Sequence, residues 1–181
     1  MNTLSISILF VTVQKISTII QYVPVQVSDL ERINELSNMP ELAGHFETIP
    51  PVSMETTKNL YRQIVSGIVS LWGIHEEEQI IGGAGFFVYP PGTRLSHTAT
   101  FFLFLEPDSW GKGIGTRTIQ FLEDVIRSRG YIRMDCMVVI HNNRAIRLYE
   151  HMGFKREGIK QKAYLFDGEF TDLLLMAKVF P

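Results

Sequence analysis

Apolar and polar residues repeat along this chain with two periods, one of about two residues and one of about three and a half. Leu4, Ile6 and Ile8, then Val11 and Val13, fall on alternate positions, which reads residues 1–20 as an N-terminal extension with an extra strand. A core strand is expected at residues 22–27. Ser28-Asp29-Leu30-Glu31 has capping-box spacing and should open a helix to about Ser37. Pro40 suits the first turn of a short helix, and residues 44–51, with Pro50 and Pro51, should be a loop. Ser53 is placed to cap another helix, with Leu60, Ile64 and Val65 inward and a stop at Gly67. Two strands, 68–75 and 79–89, flank the acidic turn Glu76-Glu77-Glu78, and Pro90-Pro91-Gly92 ends the second.

The second half is more strongly patterned. Residues 97–105 form an apolar, aromatic and β-branched run, as in a buried central strand, which Pro107 stops. A helix should follow over 116–129, with Ile119, Leu122, Val125 and Ile126 on one face and Gly130 as its terminator. Residues 134–140 read as a buried strand. Residues 142–151 read as a helix with Ala145, Leu148, Tyr149 and Met152 on one stripe. Asp167-Gly168 between apolar runs at 163–166 and 170–179 is a hairpin signal. Together these predict a mixed α/β fold in which residues 21–181 form one domain, a single sheet with helices packed on it.

Composition narrows the function classes. The chain has 181 residues, 45% hydrophobic and 20% charged, with a net charge of −2, so no basic surface argues for nucleic acid. Cys136 is the one cysteine. It sits in an apolar strand and reads as a small hydrophobe, with no disulfide framework. The five histidines show no metal-ligand spacing, so no metal is expected. Residues 4–20 are broken by Ser5, Ser7, Thr12, Gln14 and Lys15, too polar for a membrane span. Lys15 is the first lysine, so no basic stretch precedes the apolar one as in a signal peptide. A cytoplasmic protein without membrane association is the expectation.

Trp110-Gly111-Lys112-Gly113-Ile114-Gly115-Thr116 lies between a buried strand and a helix start. Glycine permits positive φ and close approach, and a helix start offers unpaired N–H groups, which together suit a phosphate. A Walker loop needs Ser or Thr after Gly-Lys, where Gly113 stands. A dinucleotide fingerprint starting at Gly111 needs glycine where Thr116 stands, and Gly83-Ala84-Gly85 fails the same test at Val88.

The loop, preceded by Leu105-Glu106-Pro107, resembles the acetyl-CoA loop of the GNAT superfamily of N-acetyltransferases. Downstream, Asn142-x-x-Ala145-Ile146-x-Leu148-Tyr149-x-x-x-Gly153-Phe154 is similar to that superfamily's second motif at every key position. Trp110 departs from the usual Arg or Gln and removes one charged contact. The closest likeness is to small amino-acid and phosphinothricin-type enzymes, and the tryptophan is also familiar among ribosomal-protein N-acetyltransferases.

The resemblance implies a mostly antiparallel twisted sheet splayed between the strand ending at Leu105 and the strand starting near Arg133. It implies acetyl-CoA as co-substrate, held by backbone groups of Leu103, Phe104 and Leu105, by the loop from Trp110 to Thr116, and by Asn142, which also suits a helix cap. Tyr149 is implied as the general acid. His97 and Glu106, at the two ends of the central strand, are the candidates for the base.

The resemblance implies a primary amine as acceptor. At pH 7, deprotonating an α-amine costs about 1 kcal/mol and a lysine-like amine about 4.6 kcal/mol. With no carboxylate pair in view, a free amino acid or a peptide α-amine is favoured over a polyamine. Phe46, Trp72, Tyr89 and Tyr164 are candidate substrate contacts, with residues 45–51 as the pocket rim. A catalytically degenerate CoA sensor is the rival reading, and a homodimer is compatible. Because Trp110 leaves the grip largely to backbone, Gly113→Val should weaken acetyl-CoA binding more than Lys112→Ala. The opposite order of calorimetric affinities would contradict that.

Overall fold

The computed structural model describes residues 19–181, so the strand expected at residues 4–13 lies outside the described residues. The elements run β1 (Ile20–Pro24), α1 (Leu30–Ser37), α2 (Pro40–Ala43), α3 (Met54–Val65), β2 (Val69–Glu76), β3 (Gln79–Val88), β4 (Thr98–Leu105), α4 (Ile114–Ser128), β5 (Arg133–Val139), α5 (Asn143–His151), β6 (Lys155–Phe166) and β7 (Glu169–Val179). One seven-stranded sheet has the order β1-β2-β3-β4-β5-β7-β6. Every neighbouring pair is antiparallel except β4 and β5. Among the described residues no helix is long and apolar enough to cross a membrane.

The sheet has a core on each face. On one side, Ala99, Phe101 and Leu105 of β4 and Met134, Cys136 and Val138 of β5 pack with Ile119, Leu122 and Ile126 of α4 and Ile146 of α5. On the other, Phe104 packs with Leu30, Ile33 and Leu36 of α1 and with Leu42. The alternation along β4 follows from the two-residue period of a strand, and the i, i+3, i+6 spacing of α1 is one helix face.

Several boundaries differ from the sequence expectation. The capping box uses Gln26 and Asp29 around a 3₁₀ turn at Val27–Asp29. Gln26 N donates to Asp29 Oδ2 at 2.8 Å, so Ser28 is not the cap. Ser53 does cap α3, accepting from Thr56 N at 3.1 Å, but the face that α3 packs inward carries Thr57, Leu60, Tyr61 and Ile64, and Val65 is 73% exposed. The strand expected at 163–166 begins at Lys155 instead. Asp167 and Gly168 do form the hairpin corner, both with positive φ.

Gly83-Ala84-Gly85 belongs to β3 at the centre of the sheet. A Cβ at Gly83 would enter the Phe104 ring, and one at Gly85 would meet Ser70 O and the Phe102 ring. These glycines make room for two phenylalanines inside a paired strand.

Candidate active site

The site begins where the sheet opens. β4 and β5 pair only through Thr98–Arg133, Ala99–Met134 and Thr100–Asp135. Beyond Thr100 the strands diverge, while β4 stays paired to β3 as far as Leu105. The β5-facing backbone groups of residues 101–105 therefore lack a strand partner, and an extended ligand arm can pair with them. Thr100 Oγ1 donates to Asp135 Oδ1 at 2.7 Å, which closes the fork at its vertex, and Arg133 Nε donates to Asp135 Oδ2 at 3.1 Å. Thr100→Val should cost about 1.5 kcal/mol in urea unfolding, the value of one hydrogen bond to a charged acceptor. A cost below about 0.3 kcal/mol would show the vertex held by backbone alone.

A cavity of about 580 Å³ fills the fork. That lies within the usual range of small-molecule sites. Leu103, Phe104, Leu105, Trp110, Gly115, Asn142 and Tyr149 line it, so the two motifs converge on one space. The loop turns through Gly111 and Gly113, at φ 75° and 76°. A Cβ at either would meet nothing within 4 Å, so the requirement is conformational. Gly113 caps α4 with no side-chain oxygen, and the first turn carries no acidic residue. Its N–H groups remain available to an anion.

Other loop positions divide by role. Ile114 is buried in the core, so only its backbone serves the site. Gly115 stands where a Cβ would press on Leu148, while Thr116 is half-buried in the first turn of α4. Lys112 is exposed and shares a depression with Glu76, Glu77 and Glu78, whose charges oppose its use on a phosphate.

Asn142 caps α5, its Oδ1 accepting from Ala145 N at 3.1 Å. That use leaves its Nδ2 donors for a ligand. Tyr149 is buried within an aromatic cluster, with its ring centre 5.1 Å from Phe101 and 5.9 Å from Phe154. Burial, and then the neighbouring Cys136, push its phenol well above the ordinary range, so it stays protonated at any working pH. Burial likewise raises the Cys136 thiol, which leaves it an inert apolar residue.

Neither candidate base reaches this space. His97 is exposed at the opposite end of β4 from the loop, and its carbonyl accepts from Ile132 N at 3.1 Å. Glu106 is paired to Arg32 of α1 at 2.7 Å. Arg32 also donates to Ile80 O at 2.9 Å, which makes that pair a clamp between α1 and the strand ends. The titratable side chains that line the cavity are His45, Glu47, Arg144 and Tyr149.

His45 stands on the loop after α2. Burial, and then the positive charge of Arg144, hold its imidazole below the ordinary value of 6.5. The loop is fastened by Tyr164, whose hydroxyl donates to Phe46 O, and by Phe166 against Gly44. Phe46 lines the cavity as expected. Trp72 is a core residue packed against Phe86 and Phe121, and Tyr89 is exposed outside the cavity. His45 belongs to the segment expected as the pocket rim, though not as a candidate base, whereas Arg144 had no signal that tied its side chain to the site.

The same site can be compared with known proteins. The sequence model of the Acetyltransferase (GNAT) family matches residues 36–154. The chain belongs to the GNAT family. The match runs from the end of α1 to Phe154, and so covers the fork, the glycine loop and the Asn142–Phe154 motif of this GNAT chain.

Within the family, it is 29% identical over 83 residues to the ribosomal protein bS18-alanine N-acetyltransferase of Salmonella typhimurium, covering 46% of this chain and 56% of that protein. It is 32% identical over 87 residues to the mycothiol acetyltransferase of Beutenbergia cavernae, covering 46% of this chain and 28% of that protein. The chain thus spans about half the length of one curated relative and under a third of the other. The GNAT fold itself is shared along nearly the whole chain. The spermidine N-acetyltransferase of Vibrio cholerae, solved in complex with CoA and spermine, superposes with a TM-score of 0.79 at 20% identity, over 88% of this chain and 95% of that one. The mixed, mostly antiparallel sheet expected from the sequence is therefore the fold observed.

Proposed function

We propose that this protein transfers an acetyl group from acetyl-CoA to the primary amine of an amino acid or peptide, by direct attack within a ternary complex. The observation that carries the reading is the convergence of the glycine loop, Asn142 and Tyr149 on the cavity where β4 and β5 part. Unpaired groups of Leu103, Phe104 and Leu105 would hold the pantetheine arm. An N–H there would polarise the thioester carbonyl. The glycine-loop N–H groups would take the pyrophosphate.

In the reaction the amine nitrogen bonds to the acetyl carbon and the carbon–sulfur bond breaks. The amine proton passes to His45, directly or through water, and the Tyr149 hydroxyl proton passes to the leaving sulfur. What supports His45 is that it lines the cavity and that its imidazole is held below the ordinary value, so that it is free to accept a proton near pH 7.

The side of the cavity that would take the acceptor is aromatic. Phe46, Phe87, Phe102 and Phe104 line it, and Glu47 is the lining carboxylate. A polyamine would bring two or more cations to one carboxylate, so a single amine beside an apolar side chain fits better. A thiol-release assay against free amino acids, N-terminal peptides and polyamines tests this. Failure of every amine to release CoA would leave the sensor reading, and polyamine turnover alone would overturn the acceptor assignment.

Acid loss of activity should show two protons. Neutral His45 and neutral amine are both required, so log kcat/KM should climb with a slope approaching two at the acid end. The lowered imidazole places that limb below pH 6.5. In His45→Gln the slope should fall to one, leaving the amine alone. An unchanged slope of two would remove His45 from the mechanism.

A further inference from the structure

Arg144 is the second residue of α5, where a cation faces the positive end of the helix dipole. The fold keeps it there through a stacked contact, its guanidinium carbon lying 3.5 Å from the centre of the Trp110 ring. Trp110 is itself fixed, because its Nε1–H donates to Leu105 O at 2.7 Å and its backbone N donates to Pro107 O at 3.0 Å. The indole is therefore a plate bolted to the end of β4 at the entry to the glycine loop. Among the described residues no carboxylate pairs with Arg144. Both Arg144 and Trp110 line the cavity.

A stacked guanidinium keeps its edge N–H groups free in the ring plane, and its rigid fork matches two phosphate oxygens. Here that fork stands beside the loop whose helix start has no acidic residue and whose one lysine sits against an acidic turn. We propose that Arg144 is a phosphate-binding residue for the CoA co-substrate, and that Trp110 is its positioning residue. The inference rests on the acetyl-CoA reading above. Arg144 would replace the charged contact that tryptophan at 110 removes from the loop with a cation from α5, across the fork.

Titration calorimetry of the full chain with CoA, 3′-dephospho-CoA and pantetheine tests it. Wild type should bind CoA, and Arg144→Ala should weaken that binding about tenfold or more, the scale of a charge-assisted hydrogen bond. Pantetheine, which has no phosphate, should bind Arg144→Ala and wild type alike. Trp110→Ala should follow Arg144→Ala for CoA, and Trp110→Phe, which keeps a ring, should recover most of the affinity. An equal loss with 3′-dephospho-CoA assigns the contact to the pyrophosphate, and a loss confined to CoA assigns it to the 3′-phosphate. Either result supports the proposal.

Wild-type CoA affinity in Arg144→Ala, or an equal loss for pantetheine, overturns it and leaves the acetyl-CoA reading standing. A wild type that binds no CoA overturns both. Arg144→Gln, similar in length and uncharged, carries the same comparison should the alanine variant melt early. A defect confined to the KM of the acceptor amine would place Arg144 on a substrate carboxylate and overturn the phosphate assignment.

Discussion

Replacing Tyr149 by phenylalanine should lower kcat about 10²–10³-fold with little change in CoA affinity or thermal midpoint. The substitution removes one hydroxyl and keeps the ring that packs against Phe101 and Phe154. Stability rests on that packing, while the proton for the leaving sulfur rests on the hydroxyl. Because burial raises the phenol, the wild-type acid should stay loaded throughout the working range, and no alkaline limb from Tyr149 should appear below pH 10. Steady-state thiol release, calorimetry and a thermal melt of the same preparation separate the terms. A variant that turns over at the wild-type rate would remove Tyr149 as the acid while leaving the enzyme intact. A variant that loses CoA binding in proportion to rate would make the tyrosine a binding residue.

The largest stability effect is expected far from the loop. Glu123 of α4 is 4% exposed, and Lys178 of β7 donates to its Oε1 at 2.6 Å. The same ammonium donates to Met152 O, at the end of α5, at 2.9 Å. One lysine thus joins the last long strand to both helices that carry the site. Lys178→Met keeps the stem and removes the charge, leaving the carboxylate and a helix-end carbonyl without their donor. A loss of about 3–5 kcal/mol in urea unfolding is expected, because the charge left behind is buried. Lys178→Met combined with Glu123→Gln should recover part of it, with a coupling of about 1 kcal/mol or more in the double-mutant cycle. A single-variant loss under about 1 kcal/mol would show that water reaches Glu123 when its partner is gone.

Much of the architecture was legible because it is local. The β4 run is apolar on both faces since both faces are covered, one by α4 and the other by α1. Gly130 and Gly67 end their helices with positive φ, and Asp167-Gly168 turns the last hairpin. The misreadings fall where local pattern is silent. β6 is an edge strand with most positions exposed, so it has no apolar period, and only its pairing with β7 makes it a strand from Lys155 onward. Val65 is apolar but lies about 100° around the helix from Ile64, off the face that Leu60 and Ile64 share, and so it is 73% exposed.

The site divides along the same line. The order of residues determines that a glycine-rich turn opens α4, that Asn142 caps α5, and that Tyr149 shares a helix face with Leu148 and Met152. Each depends on spacing within a turn or two of helix. Which ionisable groups enter the cavity was decided by the fold. Glu106 is drawn away by Arg32, His97 is carried to the far end of β4, and His45 and Arg144 come to line one cavity although they lie far apart along the chain. Pattern along a chain reports what each element buries, whereas a proton acceptor or a phosphate grip depends on which side chains separate elements bring together, and only three-dimensional packing sets that.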